Sequence, residues 1–428
     1  MDREQDSAYI YKIFTGFCPV AKLEQFLSRI QDFKVIMHLF AEATTKFTLE
    51  LYWQLRKKED NIFYSPISIM TALAMLQLGA KGNTRQQIEK VLQYNGATKK
   101  TTEKSTDFQS TEKKKRESIH HQFQKLMTQL NKSNDAYDLK AVNSIYGAKD
   151  FPFLQDFLEN IKKFYHANAE SLDFIHAADK IRQKINSIVE SQTNGKIKDL
   201  FPAGTIDIST ILVMVNVMYF KGKWDHKFDE KHTEEEIFWL NKNTSKSVQM
   251  MRQRNRFNFN SLEDVQAKIV EIPYKDKELS MFILLPNEID GLKKLEDKLT
   301  AGKLIEWTSP QNMYLAELYL SLPRFKIEQK YDLPTPLEHM GMVDAFTVQK
   351  ADLSGISSRE GLLVSNILHK SFMEVTEEGT EAAAATGVEV SLTSAPISED
   401  FSCNHPFLFF IKQNNTSSIL FFGRVSSP

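Results

Sequence analysis

The chain holds 428 residues, 42% hydrophobic and 25% charged, so it can bury a large core and is neither disordered nor collagen-like. Its 54 Lys and Arg nearly cancel 55 Asp and Glu, which excludes a partner chosen by overall field, such as nucleic acid or an anionic membrane. Two cysteines, Cys18 and Cys403, exclude a disulfide framework and suit a reducing compartment.

Met1 to Asp6 lacks the basic start and apolar core of a secretory signal, and no apolar stretch is long enough to span a bilayer. A cytoplasmic protein without membrane insertion is expected. Residues 1–36 differ from the rest of the chain: Leu23, Phe26, Leu27, Ile30 and Phe33 recur at helical spacing and predict a short amphipathic helix. Met37 opens a second helical face with Phe40, Phe47, Leu51 and Leu55, so residues 1–36 read as an N-terminal extension to a single domain over 37–428. Asn61 to Ser65 is a short strand, and Ser65-Pro66 caps a helix running to Gly79. Residues 93–118 are polar and lysine-rich without apolar period, which predicts a mobile surface loop. Within it, Lys113, Lys114, Lys115 and Arg116 have two uses to weigh against plain solvation: an address for a nuclear import factor, or a contact for a glycosaminoglycan.

Ile211 to Phe220 is a long apolar run with Asn216 inside it, as in a strand covered on both faces. Further strands are predicted at 267–272, 279–285 and 315–322, and a terminal hairpin at 407–411 and 418–423. The pattern is α+β, with helices early and antiparallel strands late. Residues 379–392 alternate: Thr380, Ala382, Ala384, Thr386, Val388, Val390 and Leu392 share one face, while Glu381 and Glu389 fall on the other. That is the period of a half-buried strand, yet Gly379 and four alanines are poor strand formers, and a short helix from Glu377 to Ala385 fits the composition as well.

No enzyme site is legible. There is no Gly-x-Ser-x-Gly elbow, no His-Glu-x-x-His and no phosphate loop. The adjacent His120 and His121 do not share a helical face, and Cys403 sits in an apolar stretch unsuited to a nucleophile, so neither a metal, a cofactor nor catalysis is expected.

Several motifs together resemble one family. Phe401 to Ile411, with Asn404-His405-Pro406-Phe407 inside it, is similar to the C-terminal signature of serpins. Asn61 to Ser68, Leu78 to Thr84, Thr193 to Phe201 and Val215 to Trp224 resemble that family's core segments in family order. Glu377 to Ala384 looks like the hinge of its reactive-centre loop, placed at 377–400. The missing signal and the ending Gly423 to Pro428 look like the intracellular ovalbumin-type branch, clade B, and within it the squamous cell carcinoma antigen group. Family members begin near Met37, so residues 1–36 are extra, either an alternative start or an artefact of the gene model.

The resemblance implies a monomeric fold of three β-sheets and about nine helices, whose large central sheet accepts the reactive loop as an extra strand. It implies a suicide-substrate inhibitor that forms covalent complexes with target proteases. The hinge comprises Glu377, Gly379, Thr380, Ala382, Ala383, Ala384, Ala385 and Thr386, and the scissile bond falls at Thr393-Ser394, or at Leu392-Thr393 by a shift of one. Thr393 carries no positive charge, which disfavours trypsin-like targets. Leu392 suits papain-like cysteine proteases at the former bond and chymotrypsin-like serine proteases at the latter. Ser65, Ser68, Asn216 and His369 match a polar cluster beneath the opening sheet; Arg324 matches the partner of Glu377 at the base of the loop; Trp224 matches the aromatic where the loop goes in. The competing reading is a non-inhibitory serpin with a binding or chaperone-like role, whose melting point would not rise after loop cleavage. Release from cells without a cleaved signal stays open.

Overall fold

The computed structural model describes residues 20–57, 59–93, 108–130, 132, 135–378 and 399–428, with side chains from His38 onward except those of 108–118. Nine α-helices lie in the described residues, with strands early and late in the chain. The first, α1 (Val20–Leu55), runs unbroken through Met37. The boundary expected there is therefore not a boundary between elements: the two apolar patterns continue one helix, because propagating a helix is cheaper than nucleating a second.

After β1 (Ile62–Tyr64) comes α2 (Pro66–Gly79), with Pro66 in its first turn and Ser65 as its N-cap, whose hydroxyl accepts from the Ser68 amide. Every side chain of α2 but Leu78 is buried, so this is a central helix without a wet face. α3 (Gly82–Val91) comes next, then α4 (Phe108–Leu130). The polar loop expected over 93–118 is thus shorter than predicted: residues 108–118, including Lys113, Lys114, Lys115 and Arg116, belong to a helix. Ile119, Phe123, Leu126, Met127 and Leu130 pack in the core and anchor its later turns. The Lys, Glu and Gln residues before them are good helix formers that extend it without an apolar face of their own.

The central sheet has five strands in the order β10-β11-β4-β2-β3: β2 (Tyr137–Ala148), β3 (Asn168–Leu172), β4 (Leu212–Gly222), β10 (Phe325–Asp332) and β11 (Asn366–Val375). Both faces are covered. Met214, Met218, Ile367 and Met373 join the main core beneath α2. Val213, Val215, Val217, Leu368 and Phe372 pack beneath α6 (Phe174–Gln192), which comes after α5 (Gln155–Tyr165) and contributes Ile181, Ile185 and Val189. Burial on both sides is why β4 reads as a continuous apolar run. β4 and β11 pair directly and in parallel, from Val213 opposite Asn366 to Phe220 opposite Met373.

The other strands form one nine-stranded hydrogen-bonded network. β6 (Thr244–Leu262) pairs with β5 (Glu234–Asn241) and β9 (Tyr314–Pro323) over most of its length, and its last residues pair with β7 (Ala267–Pro273). β8 (Leu279–Pro286), β13 (Phe407–Gln413) and β14 (Ile419–Val425) continue from β7, and β12 (Glu399–Ser402) lies beyond β9. Two of the three expected sheets are therefore joined by the single long strand β6. Short helices α7 (Leu292–Lys298), α8 (Ala301–Trp307) and α9 (Pro334–His339) complete the fold. No helix of the described residues is long and apolar enough to cross a membrane.

Candidate functional site at the seam between two central strands

β11 ends at Val375, and the segment after it is anchored before it leaves the described residues. Glu377, whose side chain is 2% exposed, accepts from Arg324 Nε at 2.9 and 2.8 Å and from Arg324 Nη2 at 2.6 Å, a forked pair. Thr233 Oγ1 donates to the same carboxylate at 2.6 Å, and the Phe228 amide donates to the Glu377 carbonyl at 3.0 Å. Burial alone would raise the Glu377 pKa, but hydrogen bonds from Arg324 and Thr233 outweigh it and hold the carboxyl below its ordinary value. Arg324 is raised in turn, chiefly by its hydrogen bond to Glu377.

Trp224 lies beside this anchor. Its Nε1 donates to the Thr376 carbonyl at 2.9 Å, and its ring stacks on Tyr274 with centroids 4.5 Å apart and planes 9° from parallel. At Gly222 a Cβ would meet the Tyr274 ring at 2.6 Å, so only glycine there leaves room for the stack. Trp224 is thus both packed and tied to the last residue before the anchor.

Beneath the sheet, Asn143 on β2, Asn216 on β4 and His369 on β11 stand side by side in one row of the register. Asn216 Nδ2 donates to the Ser68 carbonyl at 2.9 Å, to Ser68 Oγ at 2.6 Å and to the Asn143 side-chain oxygen. The Ser65 amide donates to His369 Nε2 at 3.0 Å. Nε2 is therefore the unprotonated nitrogen, and Nδ1–H donates to Asn216 Oδ1. Ser65 Oγ donates to the Leu420 carbonyl at 2.7 Å, and Ser371 Oγ on β11 to the Phe63 carbonyl at 2.7 Å. Ser65, Ser68, Asn216 and His369 are all fully buried. Among the described residues, one direct side-chain hydrogen bond crosses from β11 to β4, His369 to Asn216, while Ser65 and Ser68 hold the two strands separately to the start of α2.

The structure thus gathers the four expected polar residues, and Arg324 with Glu377 and Trp224. Asn143, Thr233, Tyr274 and the Thr376 carbonyl join them unannounced by the sequence. Asn143 carries a signal, since it shares strand parity with the apolar Ala141 and Ile145; Thr233 and Tyr274 lie in segments without period. Gly379, Thr380, Ala382 to Ala385, Thr386, Leu392, Thr393 and Ser394 lie outside the described residues.

Burial pulls the His369 pKa down to about 3, so the imidazole is neutral at pH 7. Unfolding restores an ordinary value near 6.5, and protons then bind the unfolded chain preferentially between those limits. Stability is intact above pH 6.5 and falls with pH below it, by about 2 kcal/mol at pH 5 for this residue alone. The lowered Glu377 carboxyl acts in the same direction, its stabilisation being lost as pH falls through its folded value. Thermal unfolding of wild type and His369→Gln at pH 7.5 and pH 5 checks this: the variant is expected to lose less between the two, and equal losses would contradict it.

Chemistry is otherwise sparse. Cys403 is fully buried and burial pushes its thiol pKa far up, which makes it inert. Among the described residues no cluster of three or more His, Cys, Asp or Glu is placed to hold a metal.

Comparison with known proteins agrees with this architecture. The family model described as serpin (serine protease inhibitor) matches residues 42–428. Serpin B4 of Homo sapiens is 60% identical over 394 residues, covering 92% of this chain and 100% of the relative. The leukocyte elastase inhibitor of Equus caballus is 44% identical, with 92% of this chain and 100% of the relative covered. Uncleaved ovalbumin superposes with a TM-score of 0.79 at 36% identity, covering 91% of this chain and 100% of that one. Maspin superposes with a TM-score of 0.80 at 31% identity, covering 92% and 100% respectively.

Proposed function

The chain belongs to the serpin family of serine protease inhibitors, and on that premise we propose that it traps proteases as a suicide substrate by inserting its reactive loop at the β4–β11 seam. A protease nucleophile attacks the Thr393 carbonyl; the Thr393–Ser394 bond breaks, the proton goes to the Ser394 amine, and an acyl-enzyme remains on Thr393. The freed loop then turns back beyond Glu377 and enters between β11 and β4. The observation carrying this reading is the seam itself. β11 and β4 run parallel, and a strand folding back after β11 runs antiparallel to both. Insertion exchanges one parallel pairing for two antiparallel ones, which are slightly more stable per residue and add backbone bonds.

The alternation of residues 379–392 fits that destination, with uncharged side chains on one face and both glutamates on the other. The anchor at Glu377 fits it too, because Arg324 and Trp224 hold the chain at the end of the strand along which it must turn. Within the loop, Leu392 before Thr393 favours papain-like cysteine proteases, and a cut one residue earlier favours chymotrypsin-like enzymes. We place the protein inside cells, on its cysteine usage.

Incubation of the full chain with cathepsin-like and chymotrypsin-like proteases tests the proposal. The expected result is a complex that survives denaturing electrophoresis, with mass spectrometry of the released peptide locating the cut at Thr393–Ser394. Cleavage in that region without any stable complex across the panel would favour the non-inhibitory reading.

A further inference from the structure

Between α9 and β11 the chain makes a long excursion, and within it lies a cavity of about 590 Å³, walled by residues 347–354 on one arm and 358–363 on the other. That volume is within the usual range of small-molecule sites. Ties from outside hold both arms. The Asp352 amide donates to the Thr84 hydroxyl of α3 at 3.0 Å, and the Lys81 amide donates to the Asp352 carbonyl at 2.9 Å. The Gly355 amide donates to the carbonyl of Gly79, the last residue of α2, at 2.9 Å, and the Val364 amide to the Ala345 carbonyl at 3.0 Å. At Gly79 a Cβ would meet Ile356 at 2.1 Å, so only glycine lets the excursion sit on the end of α2. The frame is therefore preformed, with the space between its arms left open.

Aliphatic side chains make the inner wall. Leu353 and Leu362 are 2% and 3% exposed, Leu363 is partly buried beside them, and Val348 stands 65% exposed at the mouth. The donors of the second arm are unused. Among the described residues the Arg359 guanidinium makes no hydrogen bond or ion pair, and the Gly361 and Leu362 amides donate to nothing. Gly361 has a φ of +87°, and a Cβ there would meet nothing within 4 Å, so this turn presents bare backbone to open space. Asp352, on the other arm, is already engaged by the Ser354 amide at 3.3 Å and the Ser354 hydroxyl at 2.8 Å. A guanidinium beside free backbone N–H groups, above an aliphatic wall, complements a carboxylate carried on an apolar residue.

We propose that this cavity binds the C-terminal end of an extended peptide whose last residue is aliphatic. The terminal carboxylate takes Arg359 and the amides of Gly361 and Leu362, and the last side chain lies against Leu353, Leu362 and Leu363. The open mouth at Val348 lets the rest of the peptide leave. Glu360, exposed beside Arg359, offers an acceptor to a peptide N–H, which a fatty acid does not have. None of these residues belongs to the seam or the anchor, so the site does not rest on protease trapping.

Calorimetric titration of the full chain with acetyl-alanyl-alanyl-leucine, beside the same peptide as its C-terminal amide, tests this. Saturable binding of the acid at one site is expected, with the amide at least tenfold weaker because it lacks the charge. Arg359→Gln should abolish the preference for the acid, and Arg359→Lys should keep part of it. Ser358→Trp, made at an exposed position of the wall, should fill the space and abolish binding. Both positions are exposed, so the variants are expected to keep the wild-type melting temperature, which identifies folded protein. Equal affinity for acid and amide in wild type would overturn the proposal, as would binding that a folded Arg359→Gln or Ser358→Trp protein leaves intact. Octanoate binding as tightly as the peptide would assign the cavity to simple fatty acids and overturn the peptide reading.

Discussion

Thr380→Arg is expected to turn the protein from an inhibitor of its target proteases into their substrate, with covalent complex reduced by at least an order of magnitude and cleavage continuing at the wild-type rate. Thr380 is the first position of the uncharged parity beyond the anchored Glu377, so it would lead the loop into the seam near the ends of β4 and β11. The residues already there, Tyr219, Phe220, Phe372 and Met373, are all buried, because the sheet is covered on both faces. A guanidinium entering among them finds no solvent, and an unpaired buried charge costs several kcal/mol. Each 1.4 kcal/mol on the insertion barrier slows it about tenfold. Deacylation is untouched and therefore wins. Denaturing electrophoresis of variant and wild type with the same protease reads both outcomes, and Thr380→Ser controls for the backbone. Wild-type complex yield from Thr380→Arg would sink insertion as the trapping step.

A second large effect is expected from locking the seam. Val215 and Leu368 are directly opposed across β4 and β11, are 1% and 4% exposed, and pack together beneath α6. Neighbouring strands lie about 4.8 Å apart, which is inside the Cα separation a disulfide accepts. Val215→Cys combined with Leu368→Cys should oxidise to a cross-strand bond that forbids a strand from entering. The oxidised protein is expected to be cleaved without forming complex, and reduction should restore complex formation. Because any cavity left by the two substitutions is present in both redox forms, the comparison isolates the lock. Native Cys403 does not compete, being buried with its thiol strongly disfavoured as thiolate. Complex formation by the fully oxidised variant would show that insertion at this seam is not needed.

Much of the site is legible in the sequence because its residues interrupt strong patterns. Asn216 is the one polar residue in the apolar run that becomes β4, and Ser65-Pro66 is a helix start that local chemistry explains. The pairing of Glu377 with Arg324 is expected only through resemblance, and its strength comes from burial of the carboxylate, which no local pattern reveals. Thr233, Tyr274 and Asn143 reach the site from other segments of the chain, and only long-range packing joins them. The expectation of a polar loop up to residue 118 fails for a local reason: helix formers without an apolar stripe resemble loop in composition, although the anchored turns after them extend the helix backwards.

By itself the sequence determined the α+β class, the central buried strand, the lack of a metal or nucleophile motif, and the strand-like parity of residues 379–392, since these depend on period and composition. Only the tertiary structure decided that β4 and β11 meet in parallel with nothing between them. It also decided that one buried imidazole, held neutral, joins β11 to β4. Those properties arise where segments distant in the chain come together, and the desolvation and hydrogen bonding that define them exist only once the chain is packed.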